Sequence, residues 1–509
     1  MLMKKLFTLL FVAVAVIAAR AKDYNVPLTI IVNGTAADQT GVISVVENDG
    51  LVDLTVKNFM LQSSDGPMGV GNVVVKGIKP IQDGNATLLL TNQTITITAG
   101  DDPSVPFWMG PSIGEIPVEL RGKIEGDRLR CYLDIDLRAT LQQVIQVAIG
   151  DGYQIANSSF ENWHTSTGTY VEPNAWHSFE SATGNLSSAA GHHIEKSADA
   201  HSGDASARIF ATEVDLIFLK IVANGTMTTG RMNAGSASAA DAKGNHAYLD
   251  MSMTDVDGHG DPYYTTMCSK PDSIAAWVKF KQGTPNAAHP YATISAAITD
   301  GTRYQDPEDK EYTNVVGKAK NNTIATTDGQ WVRVVAPFVY NDNAVEPKAV
   351  LVTISTNADA GQGSGDDEVL VDDIAFIYNA KVTGLKIKGQ DVPQFDAKTT
   401  SYEMELNETI TAADIEAAVD GKTAHVVKEV TTEDGGYLCR VTAINADMSV
   451  MSSYTVKVKS NAAGIHTLKT DASQPAAYFT LDGRLVKTLA PGNIYICRQA
   501  DGTTTKIRR

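Results

Sequence analysis

Apolar and polar residues alternate along short runs through almost the whole chain, and Gly, Asn and Asp punctuate the runs. A period of two sets one face of a strand on a core and the other toward water. In the first 150 residues the runs are 28–32, 41–46, 52–59, 70–78, 86–90, 95–98, 116–124 and 129–135. About eight sequential strands with short turns predict an up-and-down barrel over 24–150. Residues 137–149 read either as a short helix or as a last strand. Residues 151–380 continue in short β-like runs. Farther on, 382–387, 402–406, 425–430, 437–444 and 454–458 predict a small sandwich over 381–460. Residues 412–419 read as a short helix, with Thr411 as N-cap and Asp414 three residues on. A linker over 461–475 precedes a tail, 476–509, of three short strands joined by Asp482-Gly483, Pro491-Gly492 and Asp501-Gly502 turns. The fold class is all-β and multi-domain, as 509 residues also require.

The N-terminus changes the picture of compartment. Lys4 and Lys5 precede an apolar run over 6–18, and Ala19-Arg20-Ala21 has the small-residue pattern of a cleavage site. This predicts a secretory signal peptide over 1–21, and a secreted, periplasmic or outer-surface location. No Cys follows the run, which argues against a lipid anchor, and no later segment predicts a transmembrane span. The net charge is −17. An acidic chain without a basic cluster is a poor partner for nucleic acid. Cys131, Cys268, Cys439 and Cys497 fall one per segment, so no disulfide framework is expected, and no spacing suggests zinc or iron.

Several motifs are family-like. Leu54-Thr-Val-Lys57-Asn58-Phe59, Gly69-Val-Gly71-Asn72-Val73 and Leu120-Arg-Gly122-Lys-Ile124-Glu-Gly126-Asp127 resemble the calycin-like (lipocalin-like) barrel domain of Bacteroidota secreted proteins. That resemblance implies a fold more than a ligand. The one tryptophan of the segment, Trp108, sits in the loop-like run 103–111, so a filled barrel interior is expected. Between 151 and 380, Phe160-Glu161, Trp176, His201-Ser202-Gly203-Asp204 with Arg208, and Val369-Leu-Val-Asp372-Asp373-Ile-Ala-Phe376 follow the plan of jelly-roll carbohydrate-binding modules. Together with Trp277, Trp331 and the run 351–356, they resemble the carbohydrate-metabolism jelly-roll domain of the same phylum. The resemblance implies a glycan or polysaccharide as ligand. Residues 395–402 and 453–458 resemble small immunoglobulin-like domains, and the tail resembles C-terminal sorting domains of type IX secretion.

In a jelly roll the first and last strands lie side by side, which would bring Glu161 near Asp372 or Asp373. Crowded carboxylates are relieved by a hard cation, so Glu161, Asp204, Asp372 and Asp373 are candidate ligands of a structural Ca²⁺. The alternative gives Asp372 and Asp373 to strand-end hydrogen bonds and Glu161 to a salt bridge with Arg208. A second acidic loop, Asp255 to Asp261, has calcium-like spacing, but Thr266 stands where a bidentate Glu would be needed, and a solvated turn is expected. For sugar stacking, Trp163, Tyr170, Trp176, Tyr263 and Tyr264 lie in polar, loop-like sequence, with His259 beside them. Trp277 and Trp331 lie in alternating strands and are expected in the core. Catalysis requires two carboxylates across one sugar. Glu161, Asp257 and Asp261 are available, but no spacing singles out a pair. No motif for an organic cofactor is present. The leading expectation is therefore non-catalytic carbohydrate binding. A glycoside hydrolase is the first alternative, and an adhesion protein recognising an outer-membrane protein partner is the second.

Overall fold

The computed structural model describes residues 20–32, 35–63, 66–138, 142–166, 170–216, 219–433, 435–460, 475–499 and 504–508. Residues 1–19 of the expected signal peptide, most of the expected 461–475 linker and the expected Asp501-Gly502 turn lie outside the described residues. Among the described residues no helix is long and apolar enough to cross a membrane.

The first nine strands are β1 (Arg20–Val32), β2 (Thr35–Asn48), β3 (Leu51–Ser63), β4 (Gly66–Ile78), β5 (Pro80–Asp83), β6 (Ala86–Thr96), β7 (Glu115–Glu125), β8 (Arg128–Leu137) and β9 (Gln143–Ile149). They form one sheet in the order β4-β3-β2-β1-β9-β8-β7-β6-β5, antiparallel at each β1 to β4 and β6 to β9 step. The runs at 86–90 and 95–98 prove to be parts of one long hairpin arm, β6. Residues 143–149 are a strand, because Val144, Ile145, Val147 and Ile149 are β-branched, the strand pairs with β8 along its length, and Ile145, Val147 and Ile149 pair with β1 as well. An Asn72–Thr98 bridge ties β4 to the chain leaving β6. A Cβ at Gly71 would collide with the Thr98 carbonyl, so glycine is required there (φ +126°). Side chains fill the interior, with Leu28, Ile43, Leu54, Val75, Leu120, Leu133 and Ile149 all buried.

The next segment contributes β10 (Trp163–Thr165), β11 (Val171–Pro173), β12 (Ile194–Ser197), β13 (Ser206–Phe210), β14 (Thr212–Leu216), β15 (Leu219–Ala223), β16 (Thr226–Thr228), β17 (Arg231–Ala234) and β18 (Asn245–Leu249). These are followed by β19 (Thr265–Thr266), β20 (Ser273–Lys281), β21 (Ala292–Thr299), β22 (Tyr304–Asp306), β23 (Val315–Ile324), β24 (Val332–Tyr340), β25 (Ala349–Ser355) and β26 (Glu368–Ile377). The sheet path β12-β13-β26-β20-β24-β23-β21-β25-β16 curls on itself at β24, which pairs β20 with one half and β23 with the other. Its two inner faces enclose a core of Phe160, Trp176, Phe280, Ile294, Phe338, Ile354 and Phe376. Strands β17, β18 and β22 form a small sheet over a second cluster. Barrel and sandwich belong to one compact unit, which also takes in residues 419–425 and 444–451.

A second unit comprises 382–418, 426–443 and 452–509. It holds the sheets β28-β27-β30 and β29-β33-β32-β31, with β27 (Val382–Ile387), β28 (Gln390–Asp391), β29 (Ser401–Glu405), β30 (Ile415–Val419), β31 (His425–Glu433), β32 (Gly436–Ile444) and β33 (Met451–Lys459). The expected helix over 412–419 is only a 3-10 turn, Ala412–Asp414, with the Thr411–Asp414 capping box in place. Ile415 and Val419 then favour the strand β30. The tail adds a sheet of four strands rather than three, β34 (Pro475–Phe479), β35 (Leu485–Val486), β36 (Ile494–Gln499) and β37 (Thr504–Arg508).

Candidate functional site

Two identical tripeptides, Thr293-Ile294-Ser295 and Thr353-Ile354-Ser355, lie on adjacent strands β21 and β25. They pair antiparallel in full register, Thr293 with Ser355, Ile294 with Ile354 and Ser295 with Thr353. Alternation sends both isoleucines into the core and all four hydroxyls to the opposite face. Thr226 on β16 stands opposite Ser355, and Lys320 on β23 stands opposite Ser295. These six side chains line a cavity of about 690 Å³, a size typical of small-molecule sites. Val214, Ile221 and Val222 of the β14–β15 hairpin bring aliphatic surface to it, while Phe179 is the only phenyl, phenol or indole ring in its lining.

The polar groups of this cleft are unevenly satisfied. Ser295 donates to Asp306 at 2.5 Å, Thr226 donates to Ser355 at 3.3 Å, and His289 pairs with Asp359 at 2.7 Å. Lys320 makes no ion pair among the described residues. Burial first, then the nearby Arg303, outweigh a backbone hydrogen bond and hold the His246 pKa below its usual range. Two buried atoms of the cleft have no hydrogen-bond partner among the described residues, Thr293 Oγ1 and Asn224 Oδ1. Asn224 is oriented by its own amide, which donates to the carbonyls of Asn357 and Asp359 at 3.2 Å. An orphaned buried polar atom costs about 1–3 kcal/mol, so the cleft holds unspent hydrogen-bonding capacity.

The residues that sequence reasoning placed at a sugar site lie elsewhere. Trp176 is fully buried, packs on Phe160 at 5.3 Å and donates its indole N–H to the Ala156 carbonyl. Tyr263 is also buried, between His177 at 4.5 Å and the Arg231 guanidinium at 4.3 Å. Neither offers a free ring face, which corrects both expectations. Trp163 packs against the sandwich core and donates to the Phe160 carbonyl at 2.6 Å. Tyr264 packs on the small-sheet cluster. Tyr170, 45% exposed, keeps one side stacked on His192 at 4.3 Å. His259 is exposed, paired with Asp261 at 3.0 Å. Trp277 and Trp331 are only partly buried, against expectation, and His201 stacks on Trp277 at 3.8 Å.

The carboxylates meet through a shared loop. Glu161 accepts the N–H groups of Asp204 and Ala205 at 3.0 and 3.2 Å, while Asp372 accepts those of His201 and Ser202 at 2.8 and 3.2 Å. The other Asp372 oxygen takes the Asp373 N–H at 2.8 Å, and Asp373 pairs with the His201 ring at 2.6 Å. Oxygens committed to loop N–H groups fit a calcium shell poorly. Among the described residues no group of three or more His, Cys, Asp or Glu side chains is placed to hold a metal ion. Arg208 pairs with Glu195 and Glu368, not with Glu161. Burial first, then repulsion from Asp373, push the Asp372 pKa up to about 6 despite its N–H donors.

The 255–261 loop is a turn, but its central acid is not solvated. One Asp257 oxygen accepts three backbone N–H groups, from His259, Gly260 and Asp261, at 2.8–2.9 Å. The other is buried 3.5 Å from His164 Nε2 and 3.6 Å from His177 Nδ1. A carboxylate so enclosed is out of reach of a polysaccharide, and Asp261 is engaged with Ala175 N–H at 2.7 Å.

Sequence reasoning missed the cleft because it looked for aromatic platforms. The repeated Thr-Ile-Ser was the available signal, since it marks two strands with one polar and one core face.

Fold and site together define an all-β protein that joins a β-barrel to a sandwich with a hydroxyl-lined cleft. Residues 21–149 match the family model of the Calycin-like beta-barrel domain, so β1 to β9 have that domain's fold. No curated protein sequence matches the chain. Two solved structures resemble parts of it weakly. One is from Bacteroides thetaiotaomicron VPI-5482, provisionally described as a glycoside hydrolase, with 13% identity over 69% of this chain and 83% of that one and a TM-score of 0.30. The other is the M60 catalytic domain with the CBM51-1 and CBM51-2 domains of Clostridium perfringens ZmpB, with 11% identity, 95% and 42% coverage, and a TM-score of 0.15.

Proposed function

We propose that this is a non-catalytic carbohydrate-binding protein, exported by the leader over 1–21 to the periplasm or cell surface, and that its sugar site is the cleft between β16, β21, β23 and β25. The observation that carries the reading is the pair of orphaned buried atoms, Thr293 Oγ1 and Asn224 Oδ1, in a cleft floored by hydroxyls. Sugar hydroxyls both donate and accept, so they complement Ser, Thr, Asn, Lys320 and Asp306 side by side. Aliphatic side chains facing the same space suit the C–H faces of a sugar ring.

Calorimetric titration of the full chain with soluble plant and host polysaccharides tests this. Binding to at least one is expected, weakened about tenfold or more in Thr293→Val, in line with the loss of a buried hydrogen bond. No release of reducing ends from the bound polysaccharide is expected. A folded protein that binds none of them would overturn the reading.

A further inference from the structure

Strand register turns the floor of the cleft into a lattice. One row across the strands is Thr226 on β16, Ser355 on β25 and Thr293 on β21. The next row is Thr353 on β25, Ser295 on β21 and Lys320 on β23. Within each row the positions are spaced by the inter-strand distance, about 4.8 Å. A pyranose unit in an extended β-1,4-linked chain advances by close to that same interval. Units of an α-1,4-linked glucan wind into a helix and leave such a line within a few units.

The two rows share β25 and β21, where they lie two residues apart, so a line from Thr226 to Lys320 crosses the four strands obliquely. We infer that the cleft takes a linear, extended glycan chain lying on that oblique line across β16, β25, β21 and β23, one sugar unit per strand. This rests on the carbohydrate reading of the same cleft. Several observations favour the crossing direction over one along a strand. The polar positions continue unbroken from strand to strand, whereas along any one of these strands core-facing residues intervene. The second row ends on β23 in a different chemistry. Lys320 donates there without a competing ion pair, and Asp306, held by the Ser295 hydroxyl at 2.5 Å, accepts. The chain is thus met by neutral hydroxyls at β16 and by a charged donor and acceptor at β23. Recognition through hydroxyl and charge rather than through flat aromatic faces points to soluble chains rather than crystalline polysaccharide surfaces.

The test is a titration of the full chain with linear β-1,4-linked oligosaccharides of one to six units, beside an α-1,4-linked series of the same lengths. Affinity should climb with each unit to about four, the number of strands crossed, and then level off. Lys320→Ala should weaken the short and long ligands that reach β23 several-fold. Thr226→Val should cost only the ligands long enough to reach β16, and both variants should melt like the parent protein. Equal affinity for monosaccharide and tetrasaccharide, or equal affinity for the two series, would overturn the inference while leaving sugar binding intact. Absence of binding to every sugar would overturn both.

Discussion

Asp372 shows how one residue can carry two readings that sequence cannot separate. Sequence placed it beside a loop with Glu161, and both do grip residues 201–205. Two readings stood open, a shared cation or strand-end hydrogen bonds, and both carboxylates accept backbone N–H groups. Donors of that sort leave no mark in a sequence. The raised pKa makes a testable statement about stability. The group's ordinary value is 3.8 and its folded value about 6. The folded state therefore favours the protonated acid, so the contribution is whole below about pH 4 and is lost as pH climbs through 6. Urea unfolding at pH 4, 5, 6 and 7 should show this decline, and Asp372→Asn should flatten it. Equal slopes in the two proteins would contradict the assignment. Trp176 teaches a related lesson. Its polar neighbours implied an open loop, but its indole N–H is satisfied by the Ala156 carbonyl and its ring fills the core. Trp176→Ala should cost about 3–5 kcal/mol, measurable by chemical denaturation, where a platform residue would cost little.

At the scale of elements, alternation was a sound guide wherever one face is buried. The barrel strands and most of the runs over 382–458 could be read directly. It was less informative where two readings share a pattern. Residues 137–149 were open between helix and strand, and only pairing on both sides settles them as β9. Strands β21 and β25 carry the clearest case of an element whose two faces do different work. Ile294 and Ile354 hold the core while their neighbours floor the cleft, so folding and binding draw on separate residues. Thr293 stands where the two demands conflict, since its hydroxyl is buried and unpartnered. Thr293→Val, which keeps the shape and removes the orphan, should raise stability by about 1–2 kcal/mol while weakening ligand. Thermal melts set beside titrations decide it. A destabilised variant would mean that the hydroxyl is already satisfied within the free protein.

For the molecule as a whole, composition and turns suggest segments, but how segments combine is not written in them. Residues 444–451 lie in a run that reads as a late, separate sandwich, yet they belong to the compact unit of the barrel and jelly roll. The reason is visible in two buried arginines on barrel strands. Arg121 donates to the Met448 carbonyl and Arg130 to the Asp447 carbonyl, each at 2.9 Å. Arg130 also donates to the Gly150 carbonyl at 2.8 Å, where the barrel ends, and its guanidinium lies over Tyr153 at 5.0 Å. Carbonyl acceptors are common to every residue, so nothing in the sequence could announce them. One guanidinium thus gathers the barrel's end, the first residues of the jelly roll and a segment 317 positions away. Arg130→Ala should orphan those carbonyls and cost about 2–4 kcal/mol. The loss should be local before it is global. Hydrogen exchange at 444–451 should accelerate in conditions where the barrel core, at Leu54 and Leu133, stays protected. Unchanged exchange over 444–451 in that variant would show that the segment is held by its apolar contacts, Ala446 among them, and not by the arginine.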